Sequence, residues 1–253
     1  AWIDGLGLLV KTATIFPGNV EVPSINGGVS LYSDRTGELE AVVDFHLVTK
    51  WKTAADSLLG ALKLARRDSE TILIVGAGTV AGTLHDAYCA AFPNAQFLVW
   101  NRTEAKARAF AGTRENITAV ADLAHGVSGA DIITSATMST EPILRGEWLR
   151  AGQHVDLIGA YRGDMREADD TALQRSRIFV DSRETTIGHI GEIQNPLDRG
   201  VIGENDILAD YYDLTGGAFA RGSGDEITLF KNGGGANLDL MTADYIMRKW
   251  AAR

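Results

Sequence analysis

The sequence predicts an α/β fold, with a central Rossmann-type parallel-sheet domain and a smaller α+β domain. Three observations carry that expectation. Strand and helix patterns alternate from Thr71 to Asp181, which calls for a parallel sheet with crossover helices. The run Gly76-Ala77-Gly78-Thr79-Val80-Ala81 directly follows an apolar strand and opens a helix. Residues 6–44 hold strand-like segments with no helix between them, which suggests a separate antiparallel or mixed sheet.

Taken in order, Leu6 to Phe16 is an apolar run broken by Lys11 and closed by the turn Pro17-Gly18-Asn19. Gly28 to Tyr32 and Glu40 to Asp44 read as further strands, with turn chemistry at Asp34 to Gly37. From Thr49 to Arg66 the residues Trp51, Ala54, Ala55, Leu58, Leu59, Leu62 and Ala65 recur at helical spacing, with Thr49 as the cap. Strands follow at Thr71 to Val75, Gln96 to Trp100, Asp131 to Ser135, His154 to Ile158 and Ile178 to Asp181. Helices are expected between them at Val80 to Phe92, Glu104 to Gly112, Val120 to His125, Gly146 to Arg150 and Asp170 to Arg175. Uninterrupted apolar strands such as Ile72-Leu73-Ile74-Val75 suit a sheet covered on both faces. Beyond Glu184 the pattern loosens, until Glu226 to Phe230 gives a last strand and Leu238 to Trp250 a last amphipathic helix.

Composition narrows the function. The chain has 24 Lys and Arg against 33 Asp and Glu, a formal charge of -9, which offers no basic surface to a nucleic-acid backbone. No apolar run reaches the length of a bilayer span, and no signal sequence opens the chain, so no membrane partner is expected. The single cysteine, Cys89, cannot form an internal disulfide and reads as a buried structural thiol, pointing to a cytoplasmic protein. The chain enters a strand-like pattern at once, without an initiating Met, as though residues before Ala1 were missing.

In the glycine-rich run, Gly76 permits the tight turn, Gly78 lets backbone approach a pyrophosphate, and Ala81 allows close packing of helix on strand. The helix start at Thr79 and Val80 offers unpaired N–H groups to the phosphates. The second strand ends in Trp100-Asn101-Arg102-Thr103, where NAD-specific domains place a carboxylate on the adenosine ribose. Arg102, helped by Asn101, Thr103 and Lys106, can instead take the extra phosphate, so the cofactor expected is NADP(H) in preference to NAD(H).

Chemistry has to come from the carboxyl ends of the strands. The turns Ala136-Thr137-Met138-Ser139 and Ile158-Gly159-Ala160-Tyr161, and the loop Lys231 to Gly235 containing Asn232, lie on that edge. Tyr161 either delivers a proton or is a packing residue with a wet hydroxyl. Lys11, flanked by Leu8, Leu9, Val10, Ile15 and Phe16, either points outward from an edge strand or holds an anion such as a substrate carboxylate. Lys52, beside the small residues Thr53-Ala54-Ala55, is a second cationic candidate or a solvated lysine. The five histidines show no paired ligand spacing, and no metal is expected.

Read together, Val10-Lys11, Phe16-Pro17-Gly18-Asn19, Lys52-Thr53-Ala54-Ala55, the Gly76 run, Trp100-Asn101-Arg102-Thr103, Ala136-Thr137, Asp164-Met165-Arg166-Glu167 and Ile227-Thr228-Leu229-Phe230-Lys231 resemble the ornithine cyclodeaminase/mu-crystallin family. The resemblance implies a homodimer, with residues 67–235 as the NADP-binding domain and residues 1–66 and 236–253 as a substrate-binding and dimerisation domain. It implies that Lys11 and Lys52 bind the carboxylate of a small amino or imino acid, and that Ser24, Thr53, Thr79, Val80, Thr137 and Asn232 lie near the cofactor. Three departures shape the expected activity. Lys52 replaces the family's usual Arg and lacks its bidentate fork. Tyr161 stands where true cyclodeaminases carry an Asp, which favours reduction of a preformed imine over deaminating cyclisation. The family's N-terminal segment, with a further substrate-binding Arg, is absent from this sequence. The expectation is an NADPH-dependent reductase of a cyclic or N-substituted imino acid. The alternatives are cyclodeaminase or alanine-dehydrogenase-like deamination, and a non-catalytic binder of NADPH and a small acid.

Overall fold

The computed structural model describes residues 1–16, 18–23 and 25–252. Ser24, named above as a cofactor residue, lies outside them. Along the chain, β1 (Trp2–Ile3), β2 (Gly7–Ile15), β3 (Ile25–Tyr32) and β4 (Leu39–Asp44) precede α1 (Phe45–Leu64). The alternating stretch follows as β5 (Thr71–Val75), α2 (Thr79–Ala91), β6 (Gln96–Trp100), α3 (Glu104–Ala111), β7 (Ile117–Ala119), α4 (Leu123–Gly129), β8 (Ile132–Ser135) and β9 (His154–Leu157). Then come α5 (Asp170–Gln174), β10 (Ser176–Val180), α6 (Arg183–Thr186), α7 (Gly191–Asp198), β11 (Ile207–Ala209), β12 (Ile227–Lys231) and α8 (Ala236–Ala251).

The chain divides into two compact units, Ala1–Thr53 with Gly234–Arg253, and Ala54–Gly233. In the first, β1 to β4 form an antiparallel sheet in sequence order. Alternation in β2, β3 and β4 sends Leu9, Val29, Leu31 and Val43 to one face, where they pack with Phe45, Val48 and the α8 residues Leu240 and Ala243. The opposite strand positions Val10 and Val42 are exposed.

In the second unit eight strands are all parallel, in the order β11-β10-β12-β9-β8-β5-β6-β7. Ile72, Ile74, Phe97, Val99 and Ile132 pack with Leu84, Tyr88 and Ala107 on one face, and Leu73, Val75, Ile133, Val155 and Leu157 pack with Leu123, Val127 and Leu173 on the other. This is the α/β arrangement expected, since strands buried on both faces have no polar positions to spare. The chain order reverses between β5 and β8, which makes the crevice outside their carboxyl ends the place where such sheets take ligands.

Several elements differ from the sequence reading. Helix α1 starts at Phe45, because Asp44 Oδ1 accepts the Leu47 N–H at 2.6 Å and caps it. Thr49 is no cap: its hydroxyl donates to Phe45 O one turn back. The segment read as a helix over 120–125 is helical only from Leu123, where α4 begins, capped by Asp122 through the Ala124 and His125 N–H groups, and β7 ends just before it at Ala119. Helices α6 and α7 and strand β11 occupy the stretch beyond Glu184 that showed no clear period. None of the described helices is long and apolar enough to cross a membrane.

Candidate active site

The β5–α2 turn and the β8 end share a cleft of about 250 Å³, lined by Gly76, Ala77, Gly78, Asn101, Arg102 and Ala136 to Ser139, among others. Six residues proposed from sequence thus meet in one place: Gly76, Gly78, Asn101, Arg102, Ala136 and Thr137. Gly76 has φ +108°, and a Cβ there would stand 2.9 Å from Ala136 O, so only glycine lets the two strand ends approach. Above Gly78 there is open space, and no side chain caps the N–H groups of α2, which starts at Thr79 and Val80. Ala81 is buried against the sheet. Asn101 Oδ1 accepts the Ala77 N–H at 3.3 Å and its amide donates to Thr103 O at 3.0 Å, tying the two turns together.

These residues fit a dinucleotide. The free donors of α2 suit a pyrophosphate. Arg102, exposed beside the cleft, has no ion pair among the described residues, and Lys106 lies exposed four residues on, in the first turn of α3.

Beneath the cleft, four charged groups with no solvent exposure gather under the carboxyl edge of the sheet, and the sequence reading assigned none of them a role. Glu167 accepts from Ser135 Oγ at 2.7 Å, Thr137 N at 2.8 Å, Thr137 Oγ1 at 2.7 Å and Gly159 N at 2.6 Å. Glu192 accepts the Glu167 and Ala168 N–H groups at 2.6 and 3.0 Å. Lys231 Nζ donates to Leu157 O, Ile158 O and Asn232 O at 3.0, 3.3 and 2.7 Å. Asp156 accepts from Thr134 Oγ1 at 2.7 Å and Ser57 Oγ at 3.1 Å. Burial pushes the Asp156 and Glu192 carboxyls up to about 7, with the Glu167 charge adding to the rise in both and Lys231 working against it. Burial lowers the Lys231 ammonium, and the surrounding carboxylates oppose that fall.

A raised carboxyl pKa has a definite sign. Between pH about 4 and 7 the folded protein keeps on Asp156 a proton that the unfolded chain releases, so the stability this group contributes is full below that window. It is lost as pH rises through about 7. Asp156→Asn carries no such group, so the urea stability of the wild type minus that of the variant should fall on the order of 1 kcal/mol per pH unit across the window. A pH-independent difference would contradict the assignment.

The remaining sequence candidates are placed as follows. Gly159 packs directly against Thr137, since a Cβ on it would clash with Thr137 O. Ala160 is buried in a cluster with Met165 and Ile190. Ile158 is half-buried and contributes a carbonyl to Lys231. Asn232 is buried, its amide donating to Ser57 Oγ at 2.9 Å. Tyr161 is 40% exposed, with the Arg162 guanidinium 5.5 Å from its ring centroid.

In the first unit, Lys11 does not point outward. Its ammonium lies 2.7 Å from Asp239 Oδ1 and 4.8 Å from the Phe45 ring centroid. Lys52 is not a solvated lysine either: it is 8% exposed, and its Nζ donates to Gly234 O at 2.8 Å. Burial lowers the Lys11 pKa, opposed by the hydrogen bond and charge of Asp239, and the Lys52 charge lowers it further. The two ammonium groups therefore feel one another while, among the described residues, Asp239 is the one carboxylate that partners them, which leaves cationic capacity for an anion. Thr53 donates to Thr49 O at 2.8 Å on the same helix.

Comparison with known proteins adds to this geometry. Residues 7–253 match the model of the ornithine cyclodeaminase/mu-crystallin family. The chain is 51% identical to Delta(1)-pyrroline-2-carboxylate reductase of Paracoccus denitrificans, covering 99% of this chain and 82% of that one. It is 33% identical to the ketimine reductase mu-crystallin of Mus musculus, covering 97% of this chain and 77% of that one. Among solved structures it is similar to Thermococcus litoralis Delta(1)-pyrroline-2-carboxylate reductase in complex with NADH and L-proline. That likeness has a TM-score of 0.87 and 32% identity, covering 94% of this chain and 76% of that one.

Proposed function

Because the chain belongs to the ornithine cyclodeaminase/mu-crystallin family, we propose that it is an oxidoreductase that uses NADPH to reduce the C=N bond of a cyclic or N-substituted imino acid of the pyrroline-2-carboxylate class. The observation that carries this reading is the 51% identity, over nearly the whole chain, to a reductase of that substrate. A reduced nicotinamide cofactor, when bound, supplies the hydride for the imine carbon. The α2 N-terminus over Gly78 holds the pyrophosphate. Lys11 and Lys52 neutralise the substrate carboxylate, and Tyr161 or a water gives the imine nitrogen its proton, which makes the adjacent carbon electrophilic. Tyr161 has no carboxylate with which to run the deaminating cyclisation, so reduction is the favoured direction.

Preference for NADPH rests on Arg102, which among the described residues has no ion pair and stands beside a cleft with no carboxylate in its lining for the adenosine ribose. Arg102→Ala should lower the ratio of kcat/KM for NADPH over NADH by about 30-fold, the value of one charge-assisted contact to a phosphate. A wild type that favours NADH would overturn the preference and leave the reductase reading intact.

The chain works in this reading as a homodimer. Val10 and Val42 flank Ser30 in register on the outward face of the β1–β4 sheet and are 50% and 71% exposed, an apolar strip that a second copy would cover. Sedimentation should give a dimer, and Val42→Asp should give a monomer. A wild-type monomer would contradict the dimer.

A further inference from the structure

We propose that Glu167 is a positioning residue of the dinucleotide site, acting through Thr137. The inference rests on the nicotinamide-cofactor reading above and deepens it. Its starting point is a count of donors. The Glu167 carboxylate takes hydrogens from two backbone N–H groups, of Thr137 and Gly159, and from two hydroxyls, of Ser135 and Thr137. A backbone N–H can only donate, and a carboxylate with four donors around it has no hydrogen to give. The Thr137 hydroxyl hydrogen is therefore spent inward on Glu167. Its oxygen keeps lone pairs and no hydrogen for the cleft it lines.

That orientation divides the cleft by chemistry. At the α2 start the N–H groups have no capping side chain, a place for the acceptor-only oxygens of a pyrophosphate. At Thr137 both the N–H and the O–H are already used, so this rim attracts hydrogen-bond donors and disfavours phosphate. Sugar hydroxyls are the donors a dinucleotide carries next to its phosphates. Glu167 thus sets which part of the cofactor docks on Thr137.

The surroundings hold this arrangement rigidly. Glu192 fixes the backbone N–H of Glu167 itself, and Lys231 grips the carbonyls of Leu157 and Ile158, next to Gly159. Gly159 lies so close to Thr137 that a Cβ on it would stand 1.9 Å from Thr137 O. Burying charges of this kind costs more stability than an apolar core of the same volume, so folding alone gives no reason for them. Converging on two cleft turns, they serve geometry at the ligand.

The test is a double-mutant cycle on the full chain, read as the NADPH dissociation constant by fluorescence, with thermal melting as the control for folding. Thr137→Val should weaken NADPH about 10-fold and Thr137→Ser less than about 3-fold, since serine keeps the hydroxyl. Glu167→Gln should weaken it about 10-fold as well, and the double variant Glu167→Gln/Thr137→Val should be no weaker than about 10-fold, because one interaction is lost once. A double variant about 100-fold weaker would mean that the two residues act independently and would overturn the proposal. Should Glu167→Gln not fold, the threonine pair decides: an unchanged NADPH affinity in Thr137→Val leaves Glu167 nothing to act through. Failure of the wild type to bind NADPH at all would overturn the cofactor reading together with this one, whereas binding with an unaffected Thr137→Val would remove this proposal alone.

Discussion

Lys231→Met is expected to destabilise the protein by roughly 3–5 kcal/mol, the cost of breaking a buried ion cluster by removing one partner. Lys231 has no solvent exposure, and its ammonium is the cation among the buried charges Asp156, Glu167 and Glu192. Methionine fills a similar volume, so the loss isolates charge and hydrogen bonding from cavity formation. Three carbonyls, of Leu157, Ile158 and Asn232, would lose their donor. Asp156 and Glu192, already pushed up to about 7, would rise further, and Glu167 would lose its counter-charge. Since a domain is stable by about 5–15 kcal/mol in total, the variant should show a large drop in its urea midpoint. A loss under about 1 kcal/mol would mean that the carboxyls bear the cluster protonated and that the ammonium matters little.

Lys11→Met is the second large effect, on turnover. If Lys11 and Lys52 hold the substrate carboxylate, each contributes a charge-assisted contact, and removing one should lower kcat/KM for an imino acid by about 100-fold, or roughly 3 kcal/mol. NADPH affinity should stay within about 3-fold, because neither lysine is among the residues that line the dinucleotide cleft. The two lysines differ in their side effects. Lys11→Met leaves the buried carboxylate of Asp239 without its cation and should also lower stability. Lys52→Met removes a hydrogen bond to Gly234 O and relieves the repulsion on Lys11, so its loss of activity should come with little loss of stability. Comparable turnover in Lys52→Met and wild type would place the carboxylate elsewhere.

The parts of this molecule that follow local rules were legible in the chain. The Gly76 run can be read because a positive φ and a close approach admit only glycine, and the parallel strands because burial on both faces demands unbroken apolar runs. Glu167, Glu192 and Lys231 were not legible as a unit. They are 25 and 39 residues from one another along the chain, and what joins them is the sheet order that sets β12 beside β9. The one local hint was a charged residue within a strand of the central sheet, as at Asp156 in β9 and Lys231 ending β12. Lys11 gave the same hint, and there the two readings of a lysine among apolar neighbours were separated only by Asp239, which lies 228 positions away in α8. The start of α1 was missed for a simpler reason: Asp44 closes a strand and caps a helix at once, and periodicity assigned it to the strand.

The most direct test of imine reduction is the oxidation of NADPH, followed by the absorbance of the reduced nicotinamide, with pyrroline-2-carboxylate and piperideine-2-carboxylate as substrates. The expected result is stoichiometric NADPH loss with formation of the cyclic amino acid, reduced about 100-fold in Lys11→Met. Tight NADPH binding with no turnover on either imine would contradict the reductase reading and leave a protein that holds the cofactor without using it on these substrates.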